Sequence, residues 1–342
     1  MKIQPELHKK PGVYYALTTD GLELPIVDVT HPAFAVSPTG AEQAALVAAF
    51  LAQEMPFARL PPILRRGLLR FFLRGSVLAR GVRSAQGTFL GGMHTYLLKL
   101  GPSNLGDAYA KPIDRRIAAA LPALAVRWRL ADMARLLADR LAPLLEARPG
   151  VPLRFVNIAG GPAMDSLNAL LLLARDRPAL LSARAVAIDV LDGDAGGPTF
   201  GARALAALSA PGAPLHAVDA RWHHVLYDWN DPRPLRGVLA DARAAGEIAI
   251  GSSEGGLFEY GTDDAILANL TAAREAGPAD FAMAGSVTRA DRPVQRLRAT
   301  SQPATRPRGI EVFRALVARA GWRVEQVIER PFSDQVAMLP TA

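Results

Sequence analysis

Four runs of the 342-residue chain set glycine or polar residues where an apolar stretch stops. The first is Asn157-Ile158-Ala159-Gly160-Gly161-Pro162. Glycines there let a backbone approach a ligand closely, and a helix starting just beyond offers free amides. The run has neither the G-x-G-x-x-G spacing of a nicotinamide turn nor the G-K-[ST] of a phosphate loop. The second run ends Asp189-Val190-Leu191-Asp192. A carboxylate at a strand end can accept both hydroxyls of a ribose, and either aspartate could take that role. The third is Tyr227-Asp228-Trp229, where an acid can accept from an adenine amino group and an aromatic ring can cover the base. The fourth is Gly251-Ser252-Ser253-Glu254-Gly255-Gly256, followed by Phe258-Glu259-Tyr260.

The fourth run contains G-x-S-x-G, the signature of a serine nucleophile elbow. Chain order excludes that chemistry. A hydrolase of this kind needs its histidine after the serine, and all six histidines precede Ser253. Ser252, Ser253 and Glu254 are therefore expected to line a pocket. If a reaction there needs a base, Glu254 is the first candidate, with Tyr260 and His94 behind it. There is no cysteine, which excludes a catalytic thiol, zinc fingers and disulfides. The adjacent His223 and His224 would point to opposite faces of a strand, so no metal site is expected.

These runs need elements to hold them at one edge. From Leu153 onward, apolar strands alternate with amphipathic helices. Strands are expected at 153–159, 185–191, from 215, 247–251 and 281–286. Helices are expected at 165–176, 199–209, 235–244, 263–276 and 310–320. The end reads as a hairpin, Arg323–Ile328 and Gln335–Leu339. An arginine-rich loop is expected over Thr288–Arg308. Strand–helix alternation argues for a mostly parallel sheet covered on both faces. Residues 1–150 read differently, as short extended pieces followed by helices. Those helices are Ala41–Glu54, a basic stretch Leu60–Arg80, Ile113–Leu121 and, after a break at Pro122, Val126–Leu145. Arg148-Pro149-Gly150 marks the expected boundary between a mainly helical cap (1–150) and an α/β domain (151–342).

The chain carries a formal net charge of +7. Residues 1–150 hold 19 basic and 11 acidic residues, against 20 and 21 in the remainder. The positive excess thus belongs to the cap. No nucleic-acid-binding motif accompanies it, so nucleic acid is not the expected partner. No apolar run reaches the length of a membrane span. A cytoplasmic protein acting on a small-molecule substrate is expected, with homodimer formation left open.

Together the four runs resemble a class I S-adenosylmethionine-dependent methyltransferase, over Leu153 to Leu339. The resemblance implies a Rossmann-like seven-stranded sheet in order 3-2-1-4-5-7-6, with the last strand antiparallel. It implies S-adenosylmethionine as cofactor. Asn157, Ala159, Gly160 and Gly161 would hold the amino-acid part and Asp189 or Asp192 the ribose. Asp228 and Trp229 would serve the adenine, and Ser252 and Ser253 the substrate side. The first run lacks the family's usual G-x-G, and Ser-Ser-Glu-Gly-Gly differs from the D/N-P-P-Y/F run of many amino-group methylators. Transfer of methyl to a small molecule is the expected activity. Two alternatives stand beside it. One spends the same cofactor by aminocarboxypropyl transfer or by ring closure, as in azetidine-2-carboxylate formation, and releases methylthioadenosine. The other is a binding protein that has lost catalysis.

Overall fold

The computed structural model describes residues 2–36, 40–53, 76, 78, 91–106, 111–301 and 304–341. The expected basic helix Leu60–Arg80 lies outside the described residues, apart from Ser76 and Leu78.

The N-terminal part opens with a small antiparallel hairpin, β1 (Tyr15–Leu17) and β2 (Glu23–Pro25). Then come α1 (Gly40–Ala52), α2 (Gly92–Leu100), α3 (Pro112–Ala119) and the long α4 (Leu121–Ala147). Pro122 does not break α4 as expected. It sits in the first turn, where a missing N–H costs nothing, so the break falls at Ala120 instead. The apolar stripe of α4, Leu130, Met133, Leu137 and Leu141, is fully buried. Burial of each such side chain contributes about 2 kcal/mol.

The second part alternates β3 (Leu153–Ile158), α5 (Met164–Asp176), β4 (Ala185–Asp192), α6 (Gly196–Leu208), β5 (Asp219–Leu226), α7 (Arg233–Ala244) and β6 (Ile248–Ser253). It continues with the one-turn α8 (Leu257–Tyr260), α9 (Asp263–Ala276), β7 (Ala282–Thr288), α10 (Arg292–Ser301), α11 (Gly309–Arg319), β8 (Trp322–Glu329) and β9 (Ser333–Pro340). The expected arginine-rich loop thus contains a helix, α10. Its Val294 is buried, Arg292 and Arg298 are exposed, and Arg296 lies half-buried over the Phe50 ring of α1, an amphipathic pattern masked by charge.

Seven strands form one sheet in the order β5-β4-β3-β6-β7-β9-β8. Counted among themselves from β3, they run 3-2-1-4-5-7-6. β9 alone runs against its neighbours β7 and β8. The register pairs Ile158 with Leu191 and Asn157 with Ser252, so the carboxyl ends of β3, β4 and β6 lie side by side.

One hydrophobic cluster crosses residue 150. It joins Leu24, Tyr96, Met133, Leu137 and Leu141 to Phe155, Leu167, Leu170 and Ile188. A second cluster covers the opposite sheet face, with Val156, Ile158, Leu239, Ile266, Phe313 and Trp322. Polar ties fasten the N-terminal strap to the first face. Asn168 donates to Val27 O and accepts from Val29 N, and Tyr96 donates its hydroxyl to Pro25 O.

Candidate functional site

The turn after β3 has an unusual backbone. Ala159, Gly161 and Ala163 all lie in the left-handed region, at φ of 54°, 59° and 46°. Every second residue is left-handed, and two of the three are alanines. An L-residue there costs about 1–2 kcal/mol, so the surroundings must impose the conformation. Gly160 is not left-handed, but a Cβ on it would run into Asn157 Oδ1.

The glycines do admit a close backbone approach, and the approaching backbone belongs to the protein itself. A Cβ on Gly161 would stand 2.7 Å from Gly92 Cα at the start of α2. One on Gly197, at the start of α6, would stand 2.7 Å from Gly161 Cα. Three chain segments therefore meet at glycine.

The strand-two aspartates separate by parity. Being three apart, they leave β4 on opposite faces. Asp192 reaches the turn, accepting from Gly161 N and Asp194 N, both at 2.9 Å. Burial raises its pKa. Asp189 does not reach the turn. Its oxygens accept from Arg154 at 2.5 Å and meet His223 Nδ1 at 3.0 Å.

Beneath the turn lies a buried polar group. Asn157 Nδ2 donates to Asp165 Oδ1 at 2.7 Å and to Ser252 Oγ at 3.0 Å. Among the described residues, Asn157 Oδ1 and Asp165 Oδ2 have no partner. Burial, with help from Glu254, pushes the Asp165 carboxyl up to about 6.

After β6 the polar atoms are used internally. Ser253 Oγ accepts from Leu257 N, the first amide of the one-turn helix α8. Glu254 accepts from Lys99 Nζ at 2.7 Å and from Arg129 Nε at 3.1 Å. Arg129 Nη1 also donates to both oxygens of Glu259. Ser286 Oγ donates to Glu259 and accepts from Gly255 N. All four charged side chains are buried. Burial opposes the Arg129 charge, but Glu259 and Glu254 outweigh it and hold the guanidinium above its usual range. The expected base Glu254 is thus held between two cations. Lys99 and Arg129 come from α2 and α4, more than a hundred residues away in sequence, which is why spacing could not reveal them.

After β5, Asp228 is exposed and accepts from the Asn230 amide and side chain. Trp229 is half-buried, and its carbonyl accepts from Asn269, which also accepts the Tyr227 hydroxyl. No cluster of metal-ligating side chains exists among the described residues.

No family model and no curated protein matches the chain. Solved structures do. A possible exported protein from Bordetella parapertussis is 20% identical, with 90% of this chain and 100% of that chain covered and a TM-score of 0.57. Mitomycin 7-O-methyltransferase MmcR is 16% identical (89% and 74% covered, TM-score 0.42). The N,N-8-amino-8-demethyl-D-riboflavin dimethyltransferase RosA from Streptomyces davawensis is 15% identical (86% and 76% covered, TM-score 0.39). The first likeness is one of fold alone, and the other two are too loose to carry an argument. The strand order and the single reversed strand are those that the family resemblance implied. The fold is that of the class I S-adenosylmethionine-dependent methyltransferases.

Within this methyltransferase fold the residues fit the cofactor unevenly. The turn and Asp192 fit by position, since left-handed residues alternate and a carboxylate ends the neighbouring strand, although both Asp192 oxygens already accept backbone amides. Ser252, Ser253 and Glu254 fit less well, because their side chains are already bonded within the protein. No described helix is long and apolar enough to cross a membrane.

A cavity of about 320 Å³ opens beyond the ends of β6 and β7. Leu98 of α2, Ile117 of α3, Ala123 and Val126 of α4, and Val294 and Leu297 of α10 line it, together with Phe332. Its polar lining includes Thr95, Arg129, Glu259, Tyr260 and Arg298. Of the three candidate bases, Tyr260 borders this space, whereas Glu254 and His94 are not among its lining residues. Glu259, five residues beyond Glu254, supplies the acid at its wall.

Proposed function

We propose that the protein transfers a methyl group from S-adenosylmethionine to a small, largely apolar molecule held in the cavity between the N-terminal helices and the ends of β6 and β7. The observation that carries this reading is the position of the cavity. It lies beside the β6 end, two strands from the Asp192 carboxylate, and is walled by helices from both halves of the chain. A size of about 320 Å³ and a mainly apolar lining suit a small organic acceptor.

Ala159, Gly160, Gly161 and Asp192 would hold the cofactor at the turn, with Asp228 and Trp229 on the adenine side. Asp189 takes no part in this reading. The bound cofactor supplies an activated methyl group on a sulfonium. The chain's own residues exclude water and fix the acceptor: Leu98, Val126, Val294 and Phe332 by apolar contact, Tyr260 by its hydroxyl. Orientation of this kind can supply much of the rate when the acceptor is already nucleophilic. Glu254 and Lys99 act as positioning residues by anchoring Arg129, which in turn orients Glu259 at the wall.

Calorimetric titration with S-adenosylmethionine tests the first half of the proposal. Incubation with cofactor and candidate acceptors, followed by identification of the nucleoside product, tests the second. S-adenosylhomocysteine appearing only when an acceptor is present supports methyl transfer. Methylthioadenosine formed with cofactor alone would replace it with ring closure or aminocarboxypropyl transfer. Absence of binding would reject both.

A further inference from the structure

The cavity is apolar in most of its lining, yet the charges of the described residues around it do not cancel. Lys99 and Arg129 share Glu254, and Arg129 also holds Glu259. These two cations and two acids balance. Arg298 is the additional cation on the lining, and it has no hydrogen-bond or ion-pair partner among the described residues. Val294, Leu297 and Arg298 stand at i, i+3 and i+4 on α10, so one helix face offers the cavity two apolar side chains and one guanidinium. Val294 is buried, Leu297 half-buried and Arg298 exposed. The guanidinium therefore stands at the solvent end of the lining, while Arg129 and Glu259 form its buried end.

An apolar molecule entering this space would meet one uncompensated positive charge as it leaves water. A neutral ligand gains nothing from that charge, and a cationic one is repelled. A carboxylate, sulfonate or phenolate can pair with the guanidinium, bidentately for a carboxylate. We infer that the cavity selects small aromatic or aliphatic molecules bearing a single anionic group, and that this group pairs with Arg298 at the mouth. The inference names the substrate class of the acceptor site proposed above and rests on that reading for its link to catalysis. The binding preference itself can be measured without turnover.

The probes are 2-naphthoate and 2-naphthalenemethanol, which share a ring system and differ in charge. Their affinities are measured calorimetrically for the unmodified chain, for Arg298→Gln, and for Arg292→Gln, an exposed residue of the same helix outside the lining. We expect the carboxylate to bind about fivefold more tightly than the alcohol, the scale of one solvent-accessible ion pair. Arg298→Gln should abolish the difference by weakening the carboxylate alone, and Arg292→Gln should preserve it. High salt should weaken the carboxylate and spare the alcohol. Equal binding of the two probes, a preference surviving in Arg298→Gln, or binding of neither probe would overturn the inference. The methyl-transfer reading fails separately, through absence of S-adenosylmethionine binding or through a different nucleoside product.

Discussion

The turn after β3 and the run after β6 end neighbouring strands, and they treat polar atoms in opposite ways. Beneath the turn, two buried oxygens, Asn157 Oδ1 and Asp165 Oδ2, have no partner among the described residues, and two alanines hold left-handed conformations. After β6, Ser253, Glu254, Glu259 and Ser286 are all bonded, with Lys99 and Arg129 brought in from distant helices. The first region is strained and under-satisfied. The second is closed upon itself and forms one wall of an apolar cavity. Strain and orphaned groups are features that a bound ligand can repay, whereas a completed ion network mainly fixes geometry.

The sharpest way to break this contrast is to open the closed region. Arg129→Met leaves Glu259 without its guanidinium and Glu254 with Lys99 alone, all still buried. Removing one partner of a buried ionic group costs about 3–5 kcal/mol. Urea denaturation should show a loss of that size, and Arg129→Met combined with Glu259→Gln should recover part of it. A loss below about 1 kcal/mol would mean that the network does not bind the N-terminal helices to the β6 end.

Next in size is the glycine contact. Gly161→Ala combines left-handed strain with a Cβ pressed to 2.7 Å from Gly92 Cα. Together these should cost about 2–4 kcal/mol. Gly212 is also left-handed, at φ 80°, with nothing within 4 Å of its would-be Cβ. Gly212→Ala therefore reports the strain alone and should cost about 1 kcal/mol in the same denaturation experiment. If the two substitutions cost the same, the three-glycine contact contributes nothing.

Most strand positions and the place of the four polar runs could be read from sequence, because each depends on local periodicity, whereas the strand order was implied by the family resemblance alone. The separation of Asp189 from Asp192 was also within reach, since residues three apart on a strand must face opposite sides. The partners of Glu254 were not. In the sequence Lys99 is a single cation among apolar neighbours, and Arg129 is one arginine among many. Only the crossing of α2 and α4 over the β6 end brings them together. The glycine turn shows the same limit. A glycine signals that something comes close, and sequence does not say whether it is a ligand or the chain's own Gly92 and Gly197. Glu259 was passed over because Glu254 stood nearer the strand end.

The half-satisfied Asp165 carboxyl gives a pH test of the strained region. Burial raises Asp165 from 3.8 to about 6, so the folded state holds its proton longer than the unfolded chain does. Stability contributed through this group is therefore full below about pH 4 and declines as pH rises to about 6. The total decline is on the order of 3 kcal/mol. Asp165→Asn keeps an acceptor for Asn157 and carries no charge. It should flatten the stability profile between pH 4 and 6 and leave the variant as stable as the parent, or more stable, at pH 7. A profile unchanged by the substitution would show that Asp165 finds a partner that the structure does not record.

The smallest effect concerns the two left-handed alanines, and it separates strain from packing. Glycine at a left-handed position relieves about 1 kcal/mol of steric cost but adds disorder to the unfolded chain, so the two partly cancel. Ala159 is half-buried, and its methyl group lies near the Gly256 backbone. Ala159→Gly should therefore stabilise by only a few tenths of a kcal/mol, on the order of half the strain relieved, read as a small rise in the denaturation midpoint. Ala163 is completely buried and starts α5. Its methyl contributes about 0.8 kcal/mol of burial that glycine would forfeit, so Ala163→Gly should gain less than Ala159→Gly or nothing. If both variants instead lose stability by about 1 kcal/mol or more, the alanine methyl groups are holding the turn by contact. The contrast with the β6 end would then lie in its two orphaned oxygens alone.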